Sequence, residues 1–178
     1  MTDVNVQIQK IYPEVEIPTY ATAGSSGFDF KSYLKFYLSD FEMFASKFAK
    51  VRNEDYRIIL VEEKLVQIEL LPFKSIPIPT GLKLAIPDSL EMQVRPRSGL
   101  SIKQGLVLTN TPGTVDSDYR GEIILLMKNS TEKSIIISHN ERLAQGVIVP
   151  VFQAKFIEVP SLDETIRGEG GFGHTGKS

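Results

Sequence analysis

Gly81-Leu82-Lys83-Leu84-Ala85-Ile86-Pro87 and, a few residues on, Met92-Gln93-Val94-Arg95 carry the period-two alternation of half-buried strands, with Leu82, Leu84, Ile86, Met92 and Val94 on one face. Working outward, Ile123 to Met127 is a continuous apolar run that predicts a strand buried on both faces. Further short strands are expected at Ile135–Ile137, Val147–Val151 and Phe156–Val159. Prolines at 72, 77, 79, 87, 96, 112, 150 and 160 suit strand ends and edges and would break helices. Short strands between frequent turns imply an all-β domain, of sandwich, jelly-roll or barrel type.

Upstream the punctuation vanishes: no proline lies between Pro18 and Pro72, and no glycine between Gly27 and Gly81. Phe41, Phe44, Ala45, Phe48 and Val51 fall close to helical spacing behind Asp40, a good N-cap residue, so an amphipathic helix is expected over about 40–52. Strands at Tyr56–Leu60 and Leu65–Leu70 should follow. The phenylalanine stripe reads as core packing, with a partner-binding face as the other reading.

Composition narrows the function. The chain has 178 residues and 20 Lys+Arg against 22 Asp+Glu, a net charge of −2. That suits one domain with its own core, and it lacks the basic stripe of a nucleic-acid binder. Without cysteine there is no disulfide framework, thiolate metal site or cysteine nucleophile. His139 and His174 are the only histidines, so a metal here should be a hard cation held by oxygen. Met1–Lys10 lacks the pattern of a signal peptide and no apolar run reaches a membrane span, so a cytoplasmic protein with no membrane partner is expected.

Three segments could carry chemistry. Arg95-Pro96-Arg97-Ser98-Gly99-Leu100-Ser101 places arginines, a hydroxyl and a glycine after a strand, a set suited to polyphosphate, with Ser98 as a cap for the turn that follows. A solvated turn explains the same residues. Asn110 to Glu122 contains Pro112-Gly113 and then Asp116-Ser117-Asp118-Tyr119, able to hold a carboxylate and a ring over one cleft or to form a plain polar turn. Arg167 to Ser178 holds five glycines, at 168, 170, 171, 173 and 176. It is too poor in apolar groups to order itself, so it reads as a mobile tail, idle or closing over a nucleotide.

In combination these segments narrow the choice. Ser25-Ser26-Gly27-Phe28-Asp29-Phe30, Arg97-Ser98-Gly99-Leu100, Gly113 to Gly121, Arg142-Leu143-Ala144-Gln145 and the glycine-rich tail, in that order, resemble the five motifs of the trimeric deoxyuridine triphosphatases. The resemblance implies a jelly-roll-like β domain over 1–160 with a C-terminal tail, 161–178, that closes over the site. It also implies a homotrimer with sites shared between subunits, and Mg²⁺-assisted hydrolysis of dUTP to dUMP and pyrophosphate. That activity keeps uracil out of DNA and supplies dUMP. Asp116 would activate the attacking water. Asn110 would read the uracil edge with the backbone of Gly113, Thr114 and Val115, and Tyr119 would lie under the deoxyribose. Arg97, Ser98, Gly99 and Gln145 would bind phosphates. Arg167, Phe172, Gly173 and His174 would close the tail over the nucleotide, and Asp29 would support the metal–phosphate site, with Mg²⁺ held mainly by substrate phosphates.

Three departures stand out. Phe30 and His174 occupy positions where the family usually has leucine and serine. The spacing from Asp29 to Arg97 exceeds the family's by about thirty residues, placing an insertion near 34–67 that contains no motif residue and is therefore expected to be dispensable for catalysis, with a protein partner as one conceivable purpose. A host or phage source stays open. Rival readings are a dCTP deaminase, which shares the fold and the Arg-Ser-Gly segment but acts on the base, and a regulatory protein that uses the inserted helix.

Overall fold

In the computed structural model, residues 3–48, 52 and 54–171 are described. In chain order the elements are β1 (Gln7–Lys10), β2 (Phe28–Lys31), α1 (Leu38–Ser46), β3 (Tyr56–Glu62), β4 (Leu65–Leu70), β5 (Ser75–Ala85), β6 (Leu90–Pro96), α2 (Ser98–Gln104), β7 (Leu106–Leu108), β8 (Gly113–Val115), β9 (Glu122–Asn129), β10 (Ile135–Ile137) and β11 (Arg142–Pro150). They form three antiparallel sheets with strand orders β1-β5-β9-β7, β2-β11-β6-β8 and β10-β4-β3. This is the all-β, jelly-roll-like architecture expected.

The alternating positions do the packing. Leu82, Leu84, Ile86, Met92, Val94, Leu106, Leu108, Leu143 and Val147 are buried, and with Phe28, Phe30, Ile76 and Ile78 they fill the body of the domain. The Ile123–Met127 run does not hide both faces: Ile123, Leu125 and Met127 are buried, whereas Ile124 and Leu126 are only partly covered and look outward. The strand therefore keeps a period of two within an apolar sequence. Pro77 and Pro79 sit inside β5 because only one side of that stretch carries a strand, β9. On the other side Pro79 accepts a hydrogen bond from the Tyr33 amide at 2.8 Å, so the N–H it lacks falls where no ladder donor is required. Asn129, buried at the end of β9, donates to the carbonyls of Leu70, Leu71 and Lys133 and accepts from Thr131, tying three loops together.

The 34–67 stretch folds onto this body. Helix α1 begins earlier than the spacing predicts, after an extended Tyr37, and ends at Ser46; Asp40 lies in its first turn and makes no cap. There its carboxylate complements the helix dipole. Val51 lies outside the described residues. Phe41 is fully buried against Phe36 and Tyr56, while Phe44 and Phe48 are partly exposed, so the stripe grades from core to surface. Strand β3 pairs with β4 as an edge strand, with Ile59, Leu60 and Val61 exposed. The stretch enters and leaves the body at adjacent points, where the Val66 amide donates to the Leu34 carbonyl at 3.1 Å. Nearby, the Leu34 amide donates to His139 Nδ1 at 3.1 Å.

The expected strand at Phe156–Val159 does not form. After Pro150 the described chain is irregular, and Phe152, Phe156, Ile157, Leu162 and Ile166 are exposed. Its β propensity is real, but a strand needs a partner edge and this one has none among the described residues.

Candidate active site

Two clusters gather the sequence-predicted residues. The first lies at the end of the β2-β11-β6-β8 sheet. Gln145 faces Asp29 on one side and Arg95 on the other, which draws three separate segments together. Asp29 Oδ1 pairs with Arg97 Nε at 2.9 Å, and Oδ2 meets Arg142 Nη1 at 3.3 Å. Arg97 Nη1 also donates to the Arg142 carbonyl at 3.0 Å, and Gln145 Nε2 to the Pro96 carbonyl at 3.0 Å. Gly27 admits this packing: a Cβ there would lie 2.5 Å from Gln145 Oε1. Ser98 is no cap; Arg97 occupies the N-cap position of α2 without a side-chain cap bond, and Ser98 and Gly99 form the exposed first turn. Leu100 anchors that turn in the core.

The second cluster is a cleft of ≈ 250 Å³ lined by Asn110, Gly113, Thr114, Val115, Asp116 and Tyr119 over a floor that includes Leu108, Ile124 and Leu126. The Tyr119 amide donates to the Asp116 carbonyl at 3.2 Å and Arg120 Nη1 to the Ser117 carbonyl at 2.6 Å, closing the turn that sets carboxylate and ring side by side. Tyr119 Oη donates to the Glu122 carbonyl at 3.1 Å, and the ring fits because Gly121 has no side chain: a Cβ there would lie 2.2 Å from that oxygen. Asp116 is exposed and open to water. Glu122, also in the lining, is half-buried; desolvation pushes its pKa up, against the opposing hydrogen bond from the Gly81 amide.

Arg167 stands on the exposed C-terminal stretch, its Nε donating to the Gly170 carbonyl at 2.7 Å. Phe172, Gly173 and His174 lie outside the described residues. The two clusters do not meet within one chain. Along the β6–β8 ladder Met92 faces Val115 and Val94 faces Gly113, so Asp116 points to the Glu91 end of β6. Arg97 follows the opposite end, a separation of roughly 20 Å at about 3.3 Å per residue.

Two contributors escaped the sequence reading. Arg142 stood in a quoted motif without a role, and it shares Asp29 with Arg97. Phe48, from the stretch expected to be dispensable, lines the same cleft as Asp116 and Tyr119. Nothing local in the sequence marks that neighbourhood, since it depends on where α1 docks. Asp29's two oxygens each face a guanidinium, and among the described residues no three carboxylate or imidazole groups converge as a metal cage.

The dUTPase family model matches residues 63–176, which include every residue of the second cluster except Phe48. The deoxyuridine 5'-triphosphate nucleotidohydrolase of Fusobacterium nucleatum is 43% identical over 173 residues, covering 97% of this chain and 98% of that relative. The chain belongs to the dUTPase family. The nucleotidohydrolase of the same name from Wolinella succinogenes is 39% identical over 175 residues, covering 98% of this chain and 96% of that one. Among solved structures, Staphylococcus bacteriophage 80alpha dUTPase with dUPNHPP superposes with a TM-score of 0.72 at 21% identity, over 97% of this chain and 99% of that chain. The Streptococcus mutans dUTPase gives 0.62 at 23% identity, over 84% of this chain and 98% of that chain. Both show the shared fold.

Proposed function

We propose that this dUTPase-family chain hydrolyses dUTP to dUMP and pyrophosphate, and that the cleft holding Asn110, Asp116 and Tyr119 together is the nucleoside half of its active site. That juxtaposition carries the reading. A water held by Asp116 attacks the α-phosphorus, the bond to the β-phosphate's bridging oxygen breaks, pyrophosphate leaves and the water's proton passes to the carboxylate. Asn110 and the backbone of Gly113, Thr114 and Val115 read the uracil edge. A donor aimed at uracil's O4 stays unpaired when cytosine enters, at about 1–3 kcal/mol for each unmet buried group. Tyr119 stacks under the deoxyribose and leaves no room for a 2′-hydroxyl.

Arg97, Ser98, Gly99 and Gln145 hold phosphates, with Asp29 aligning Arg97 and Arg142 as a forked cationic surface. Because that surface lies roughly 20 Å from Asp116 along the same strand, one substrate engages the cleft of one copy and the phosphate surface of another. Hence we infer a homotrimer with shared sites, the count of three resting on the family. The exposed apolar stretch after Pro150 supports the same association. Arg167, Phe172, Gly173 and His174 close over the nucleotide from the tail, 161–178, and we take 34–67 as an insertion into the 1–160 domain. With Asp29 committed to arginines, the chain offers a Mg²⁺ ion little of its own, so the ion would be held mainly by the substrate's phosphates and would supply charge neutralisation there. No described helix is long and apolar enough to cross a membrane, and a cytoplasmic location suits the substrate.

Pyrophosphate release across dUTP, dCTP, dTTP and UTP tests the assignment, with dUTP expected to be strongly preferred. Asp116→Asn should keep the fold and dUTP binding while turnover drops at least ~10²-fold. Near-normal turnover in that variant, or ammonia release from dCTP, would reject the reading.

A further inference from the structure

We infer that Phe48, carried by the 34–67 stretch, is a wall of the nucleoside pocket and a determinant of how tightly the nucleoside is held. The inference rests on the proposed function of the cleft and extends it to a residue outside the five motifs.

Phe41 is sealed in the core, and Phe44 packs on it with ring centroids 5.9 Å apart. One turn further Phe48 continues the row, 5.5 Å from Phe44, with its amide bonded to the Ala45 carbonyl at 3.1 Å. The row thus forms a rod whose buried end fixes the position of its outer ring. That outer ring is only partly covered, and the space beside it is the ≈ 250 Å³ cleft of Asn110, Asp116 and Tyr119. Among the described residues every other lining residue comes from the β6–β9 region, so of these Phe48 alone reaches the cleft from the far side of the sequence. A partly exposed phenyl ring beside a pocket that must take a flat base and an apolar sugar face has a physical use, because covering it removes apolar surface from water for both ring and ligand.

Phe48 also lines a second hollow, of ≈ 780 Å³, together with Arg52, Phe73, Lys74 and Leu126. Phe48 and Leu126 are thus common to the nucleoside cleft and the larger open space beside it. Removing the Phe48 ring would widen the cleft on that side and admit water next to the base.

Binding at the nucleoside end should weaken while phosphate handling stays as it was. Phe48→Ala is expected to weaken dUMP binding, measured by titration calorimetry with Mg²⁺ on the full-length oligomer, and to raise the KM for dUTP, each by roughly tenfold, the scale of one aromatic face against a base. Its kcat and its inhibition by inorganic pyrophosphate should stay within about threefold of the parent. Phe48→Tyr should restore dUMP affinity, and light scattering should show unchanged mass for both variants. Unchanged dUMP affinity and KM in Phe48→Ala would overturn the inference, as would a loss of oligomer mass that accounts for the weaker binding. A parent protein that neither binds dUMP nor releases pyrophosphate from dUTP would instead defeat the functional reading on which it stands.

Discussion

Two stretches lie outside the regular alternation of the β body, and they meet opposite fates. The 34–67 stretch and the stretch after Pro150 are both rich in large apolar residues. The first buries Phe41 completely and Tyr56 nearly so, whereas the second leaves Phe152 and Phe156 each 93% exposed. The difference lies in the backbone. Helix α1 satisfies its own amides, and β3 finds a partner in β4, so their side chains can be covered without stranding polar groups. Beyond the Val151 amide, which bonds to the Ser89 carbonyl at 2.9 Å, the C-terminal stretch joins no strand edge among the described residues. Apolar content supplies the drive to bury, and backbone partners decide where that happens.

The contrast can be broken most sharply from the C-terminal side. Removing everything after Pro160 should lower turnover by at least ~10³-fold, the scale of losing an arginine that grips a transferring phosphate, here Arg167. The urea midpoint should not move. Full activity in the truncated protein would make the tail an idle appendage.

On the other side, Phe41→Ala should cost about 3–5 kcal/mol of unfolding free energy, read by urea denaturation, because a fully buried ring leaves a cavity. Phe44→Ala should cost less, in keeping with its partial exposure. Equal costs for the two would show that the stripe is uniformly core after all.

A smaller effect is expected for Phe156→Ala. The concentration at which the oligomer dissociates should rise about tenfold in analytical ultracentrifugation, with little change in the unfolding of the separated chain. A ring that docked on its own subunit would give the reverse pattern.

The subtlest test is pH. Burial, with help from Lys35 and against Glu14, holds the His139 pKa below the usual imidazole range. The neutral ring accepts the Leu34 amide at the root of the 34–67 stretch. The unfolded chain takes up a proton near pH 6.5, which the folded ring resists until lower pH. Stability from this contact is therefore complete above that pH and is lost as pH falls through the folded pKa. Thermal scans from pH 8 to 5 should show Tm declining at the acid end, and His139→Ala should flatten that part of the profile.

Side-chain chemistry at short range was the legible part. The spacing of Asp116 and Tyr119 on one turn, with Asn110 just across the short strand β8, needs only local geometry, and the three line one cleft; Arg97-Ser98-Gly99 does follow a strand, though Ser98 does not cap the turn. The alternation at Leu82–Ile86 likewise specified its own burial. What escaped depends on partners distant in sequence. Helix α1 starts at Leu38 because the chain is extended through Tyr37, a backbone state that Asp40's capping preference does not reveal. Phe156–Val159 has strand composition with no edge to join among the described residues. Asn129 reads as an ordinary polar residue until three carbonyls converge on it. Phe48 reaches the cleft only through the docking of its helix.

The hydrogen bond from Val66 to Leu34 also bears on how such a chain can vary through time. Two backbone points held together at a fixed doorway let the length of what passes between them change at small cost, since doubling a closed loop adds only about 0.6 kcal/mol of closure entropy. A gene could lengthen, shorten or exchange that passage while the surrounding β body kept its register. The doorway thus makes the protein modular at one address, where the length of the passage can vary so long as the ring it sets beside the cleft, Phe48, keeps its place.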